Sequence, residues 1–207
     1  MNIMMKSLLT FLLLWVATPV WASDATQTDD PKVVVEKAVN GILHALESRA
    51  DPKTLTEKDR EAIRKQVEGR FDYREMARRS VGKAWKKQTS EQQAAFTETF
   101  RQLLERSYGN RLADYHGQVV EFDKAEFKKN KARVKTRVID NNKTTPVAYR
   151  LHKKADTWQV YDIKIEGVSL VGTFRKDFKG PLKKDGFDGL LKALNDKVKR
   201  LKEKDAS

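Results

Sequence analysis

Arg133-Val134-Lys135-Thr136-Arg137-Val138 alternates a long basic residue with a smaller one at every step. A period of two sends the three cations to one face and Val134, Thr136 and Val138 to the other, the pattern of a strand with one wet and one buried side. Val147, Tyr149 and Leu151 repeat at the same spacing just downstream. Asp140-Asn141-Asn142-Lys143 and Lys153-Lys154-Ala155-Asp156 are polar separators of hairpin length. A strand from about Val119 to Phe127 precedes these and another, Trp158 to Glu166, follows them. Four consecutive strands with short connections make an antiparallel meander.

Outside this block the period is helical. Val35, Val39, Ile42, Leu43 and Leu46 recur at helix spacing after Lys32 and stop before Asp51-Pro52, because the residue before proline is disfavoured in the helical region. A second helix is expected from Leu55 to Glu68, with Ile63 and Val67 inward and Gly69 as its stop. A third is expected from Phe71 to Val81, ended by Gly82. Thr89 and Gln92 form a capping-box pattern ahead of a stripe made by Phe96, Phe100, Leu103, Leu104, Tyr108, Leu112 and Tyr115. After the strands, Val168 to Phe178 reads as a segment broken at Gly180-Pro181, and Phe187, Leu190, Leu191, Leu194, Val198 and Leu201 as a final amphipathic helix. Helices, then a sheet, then a helix give an α+β fold with a helical layer packed on a curved four-stranded antiparallel sheet.

The amino end carries one charge, Lys6, before an apolar run from Leu8 to Trp21, the order of a secretory signal. Val20 and Ala22 are small residues at the −3 and −1 positions, so cleavage is expected after Ala22. An uncleaved anchor is the rival reading, but a spanning helix needs about 20 apolar residues. A lipoprotein would need a cysteine after the cleavage site, and the chain has none. Residues 23–31 then read as a polar leader and 32–203 as a single domain. The formal charge of +13, of which cleavage removes only Lys6, favours anionic membrane surfaces or acidic partner proteins, and export argues against nucleic acid.

Catalytic and metal signatures are sparse. His44, His116 and His152 have no second ligand at helical or hairpin spacing, so no metal or cofactor is expected. Gly167-Val168-Ser169-Leu170-Val171 lacks the closing glycine of a nucleophile elbow. Tyr161-Asp162, with Tyr149, could form an Asp/Tyr pocket in a small curved-sheet enzyme, or Asp162 could pair with an arginine and the tyrosines belong to the core. A basic adaptor for anionic envelope polymers is a further alternative. The long helix is expected to aim Phe96, Phe100, Tyr108 and Tyr115 at the sheet, opposite Tyr149, Trp158, Tyr161, Ile163 and Ile165. Such facing residues either fill a solid core or line a cavity, and spacing alone does not distinguish the two.

Two stretches resemble a known family. The first runs Val81-Gly82-Lys83-Ala84-Trp85-Lys86-Lys87-Gln88-Thr89, through the stripe, to Tyr115-His116-Gly117. The second is Trp158-Gln159-Val160-Tyr161-Asp162-Ile163 with Glu166-Gly167-Val168-Ser169-Leu170, continuing to Gly186-Phe187-Asp188-Gly189-Leu190. Both are similar to the MlaC, or toluene-tolerance, family of periplasmic phospholipid-binding proteins that serve outer-membrane lipid asymmetry. The resemblance implies a nuclear-transport-factor-like fold enclosing an apolar cavity and a non-enzymatic carrier of phospholipid. It also implies two partners: an outer-membrane lipoprotein–porin complex, and an inner-membrane ABC transporter with a lipid-binding substrate component. Candidate tail contacts are Phe71, Tyr73, Trp85, Phe96, Phe100, Tyr108, Tyr149, Tyr161 and Phe174. A diacyl lipid has roughly 30 methylenes at about 0.8 kcal/mol each, so unescorted passage through water costs on the order of 20 kcal/mol. Enclosing both tails calls for a cavity near or beyond the upper end of the usual range of roughly 300–1,000 Å³.

Overall fold

The computed structural model describes residues 30–205. The expected signal peptide and most of the expected leader lie outside the described residues. Helix α1 (Pro31–Glu47) starts inside the segment read as leader: Asp30 caps it by accepting from the Lys32 N–H at 2.8 Å. Pro31 takes the first turn, where a missing N–H is harmless. Thr56 and Asp59 cap α2 (Glu57–Val67) reciprocally. Asp72 caps α3 (Tyr73–Val81) through the Glu75 N–H at 2.9 Å. A 3-10 helix, Gly82–Lys87, leads to α4 (Ser90–Ala113), which begins with the Thr89/Gln92 capping box read from the sequence.

The strands are β1 (Val119–Phe122), β2 (Glu126–Lys128), β3 (Lys131–Asp140), β4 (Lys143–Lys154), β5 (Thr157–Ile165) and β6 (Val168–Ser169). The sheet is antiparallel, ordered β1-β3-β4-β5-β6, with β2 also on β3. The expected four-strand meander is therefore present, with two refinements. The strand read from Val119 to Phe127 is divided: Phe122 faces Thr136 and Glu126 faces Arg133, so three residues on this edge oppose two on β3. That one-residue excess is a β-bulge. The short β6 adds a fifth position beyond β5. A second bulge lies in β5, where Arg150 faces Asp162 but Leu151 faces Val160, leaving Tyr161 as the extra residue. Beside it, Val160 exchanges backbone hydrogen bonds with Arg70 and Asp72 at 2.8 and 2.9 Å, so the α2–α3 connection covers an otherwise open strand edge.

The break expected at Gly180-Pro181 is corrected by the structure. Helix α5 (Leu170–Asp205) continues through Pro181 and changes direction at Gly186, with φ 71° and ψ −169°. A proline ring normally disfavours a helical predecessor by striking its Cβ, and Gly180 has none. Gly186 adopts a backbone region that is essentially reserved for glycine.

The expectation that the front of α4 faces the sheet is also corrected. Phe96 and Phe100 are fully buried among helices, in a cluster with Trp85, Phe174, Phe178 and Phe187. The ring centroids of Phe96 and Phe187 are 5.1 Å apart, as are those of Phe100 and Phe174. A separate core joins α1 to the sheet through Val35, Val39, Val134, Leu151, Trp158 and Val160. Aromatic rings contribute most when they meet edge-on or offset, and α5 offers α4 three such rings, Phe174, Phe178 and Phe187.

Candidate functional site

A cavity of about 310 Å³ lies between α1, α2 and the sheet, alongside the two cores. Its floor is Val147 and Tyr149 of β4 with Ile163 and Ile165 of β5. These are cross-strand pairs, Val147 with Ile165 and Tyr149 with Ile163, which a period of two places on one face. Ala38, Val39 and Ile42 of α1 and Ile63 and Val67 of α2 form the roof. Phe71, with Tyr73 and Met76 of α3, closes one side. Leu104, Tyr108 and Leu112, one turn apart on α4, close another. The α4 stripe is thus divided along its length: its first half packs on α5 and its second half faces the cavity.

The polar residues on the lining are Arg60, Arg64, Glu105 and Arg111 together with the tyrosines. Arg60 is buried and lies 3.0 Å from Asp205, which also meets Arg106 at 2.8 Å. Gly109 makes this possible, since a Cβ there would stand 2.5 Å from the Arg60 guanidinium. Arg64 reaches Glu105 at 3.1 Å, and Glu105 also pairs with Arg101. Burial pushes the Tyr149 hydroxyl up to about 12. The Tyr108 hydroxyl is raised by burial, and that of Tyr73 by burial and then by the Glu105 charge. All three therefore stay neutral at physiological pH, and the charged residues of the lining are confined to Arg60, Arg64, Glu105 and Arg111. Its ion pairs sit where the roof joins α4 and the end of α5.

Of the nine residues proposed from the sequence, the structure brings Phe71, Tyr73, Tyr108 and Tyr149 together on this cavity. Trp85, Phe96, Phe100 and Phe174 are placed in the helical core instead. Tyr161, in its bulge, is buried and not on the lining: the Arg79 guanidinium lies 4.2 Å over its ring and the His152 ring is 5.4 Å away. The aliphatic lining residues that the nine omitted include Ile42, Ile63, Val147, Ile163 and Ile165. The signal for Val147, Ile163 and Ile165 was available in the spacing of two along β4 and β5, and that for Ile42 and Ile63 in the helical periodicity of α1 and α2.

Asp162 does not share the cavity lining with Tyr149. Asp162 accepts hydrogen bonds from Ser169 Oγ at 2.8 Å and the Val171 N–H at 3.1 Å, and lies 3.5 Å from Arg150. It ties the start of α5 to β5. Asp72, besides capping α3, faces His152 Nε2 at 3.1 Å and Lys154 Nζ at 3.3 Å. Among the described residues no group of three or more metal-ligating side chains converges, and no helix is long and apolar enough to cross a membrane.

A helical layer over a bulged antiparallel sheet, with a mostly apolar pocket between them, defines an α+β fold with an enclosed cavity. The family model for the MlaC protein matches residues 36–196, and the chain belongs to that family. It is 30% identical over 117 residues to the intermembrane phospholipid transport system binding protein MlaC of Haemophilus influenzae, covering 54% of this chain and 55% of that protein. It is 32% identical over 105 residues to the toluene tolerance protein ttg2D of Pseudomonas putida, covering 50% and 49%. The chain thus spans about half the length of these curated relatives in the matches. A phospholipid-binding protein from Ralstonia solanacearum, solved in complex with a phospholipid, superposes with a TM-score of 0.77 at 26% identity. That match covers 83% of this chain and 98% of the other.

Proposed function

We propose that this protein is a periplasmic phospholipid carrier that holds acyl chain in the cavity between the α1–α2 roof and the β4–β5 floor. The observation that carries this reading is the predominantly aliphatic-and-aromatic lining of that cavity in a chain of the MlaC family. Phe71, Tyr73, Tyr108 and Tyr149 are the aromatic contacts, with Ile42, Ile63, Val147 and Ile163 completing the surface. The protein acts by binding and release rather than by catalysis. It shuttles lipid between an outer-membrane lipoprotein–porin complex and an inner-membrane ABC transporter with a lipid-binding component. Export by a signal peptide ending at Ala22 delivers it to the periplasm, as a single lipid-binding domain over about 32–203.

At about 310 Å³ the cavity is at the low end for a ligand site and smaller than two acyl chains call for. Full loading therefore requires the roof to move outward. Helix α2 is the suitable element, because it rests on α1 and on the ion pairs that Arg60, Arg64 and Glu57 make with α4 and α5. Native mass spectrometry of protein purified from an envelope extract tests the reading. An adduct of phospholipid mass that survives gentle ionisation is expected, and a uniformly ligand-free protein would refute it.

A further inference from the structure

A second concave surface, sharing no residue with the lipid cavity, lies at the end of α3. Gly82, Lys83, Gly172, Arg175, Lys176 and Lys179 line a groove of about 510 Å³ between the 3-10 helix and the first half of α5. Ser80, Val81 and Leu182 complete it, so its lining contains four cations and no carboxylate. All four cations are exposed, and none makes an ion pair among the described residues. Several cations elsewhere in the molecule are paired instead. Arg64 pairs with Glu105, Arg78 and Arg79 with Glu75, and Arg101 with Glu98. The other basic concavity, on the sheet, has Asp123 on its lining and, among the described residues, ion pairs for all of its cations except Lys164. There Arg137 meets Glu121 and Asp123, Lys135 meets Glu126, and Arg150 meets Asp162.

The backbone helps to form the groove. Gly82 has φ 60°, and a Cβ there would sit 3.4 Å from the Arg175 guanidinium, which lies over it. Glycine at 82 therefore ends α3 with a positive φ, and Arg175 lies against it. Arg175, Lys176 and Lys179 are related by helical spacing, so one segment laid along α5 meets all three, with Lys83 on the opposite wall. Like charges gathered without counter-ions repel one another, and a ligand that supplies several negative charges relieves that repulsion. The surface is concave, which suits a narrow chain better than a planar bilayer.

We propose that this groove is a docking site for an acidic segment of a partner protein, independent of what the lipid cavity holds. The probe is a fluorescein-labelled decaglutamate peptide, titrated by anisotropy against the full mature chain at low and physiological salt. The R175E/K176E/K179E variant should bind it about tenfold or more weakly, as expected when three exposed ion pairs are lost together. K197E/R200E/K202E makes the same charge change on the exposed second half of α5 and should stay within about twofold of wild type. Should the Glu variant melt early, R175Q/K176Q/K179Q removes the charges without reversing them and reads the same effect. Equal weakening in both triple-Glu variants would reduce the effect to net charge and overturn the proposal. Groove-dependent binding to phosphatidylglycerol vesicles without groove-dependent peptide binding would overturn it in favour of a membrane surface.

Discussion

Phe96→Ala separates a core residue from a ligand contact, because the Phe96 side chain sits in the ring cluster and not on the cavity. It is fully buried, and four rings surround it: Trp85, Phe100, Phe178 and Phe187, with centroids 5.1 to 6.4 Å away. A buried aromatic ring removes roughly 150–250 Å² from water, and at about 25 cal/mol per Å² most of that loss is several kcal/mol. Residual cavity adds to it, and truncations of this kind cost about 3–5 kcal/mol. Four neighbouring rings that cannot collapse into the gap place this case in the upper half, about 4–5 kcal/mol. For a chain of this size each kcal/mol moves the melting midpoint by roughly 2–4 °C, so a fall of about 8–20 °C is expected. Circular-dichroism melts measure that fall, and phosphate analysis of extracted lipid, per mole of folded protein, measures occupancy. Occupancy should match wild type. A midpoint within about 3 °C of wild type, or normal stability with lost lipid, would refute the assignment of Phe96 to the core.

Ala38→Trp places an indole in the cavity roof and should lower lipid per folded molecule severalfold, while overpacking costs about 1–3 kcal/mol; lipid extraction beside a melt checks both. Gly186→Ala should cost about 1–3 kcal/mol from backbone conformation alone, since no atom lies within 4 Å of the added Cβ; urea denaturation measures it. Glu75 is held below the usual carboxylate range: burial opposes this, but hydrogen bonds and charge from Arg78 and Arg79 outweigh it. Its contribution is present above the unfolded pKa of about 4.5 and disappears as pH falls through the lower folded value. Glu75→Gln should therefore lose about 1–2 kcal/mol near neutral pH and show a shallower loss of stability below pH 4.5, read from melts across an acid series.

Local chemistry was the most legible part of the sequence. The Thr89/Gln92 box and the alternation in β3 each rest on a few neighbouring residues, and both stand in the structure as read. Gly180-Pro181 and Gly186 show where such rules compete. A proline looks like the stronger break, but a preceding glycine removes its steric conflict, while a lone glycine carries the actual turn. Periodicity placed Phe96, Phe100, Leu104, Tyr108 and Leu112 on one helical stripe without revealing that the stripe has two partners. Which half meets α5 and which meets the cavity depends on tertiary docking. Tyr161 escaped for another reason: a bulge shifts its register, and a period-two reading has no signature for the extra residue. Choosing candidate contacts by aromatic size favoured residues that pack on one another, whereas the aliphatic pairs on β4 and β5 floor the cavity.

The most direct test of the account uses a phospholipid carrying a photoactivatable diazirine in its acyl chain, loaded into the full mature protein, irradiated and mapped by peptide mass spectrometry. Adducts are expected on the roof and floor of the cavity, at Ile42, Tyr73, Tyr149 and Ile163. Adducts concentrated on Trp85, Phe96, Phe100 and Phe174 instead would put the acyl chain in the helical core and contradict the account.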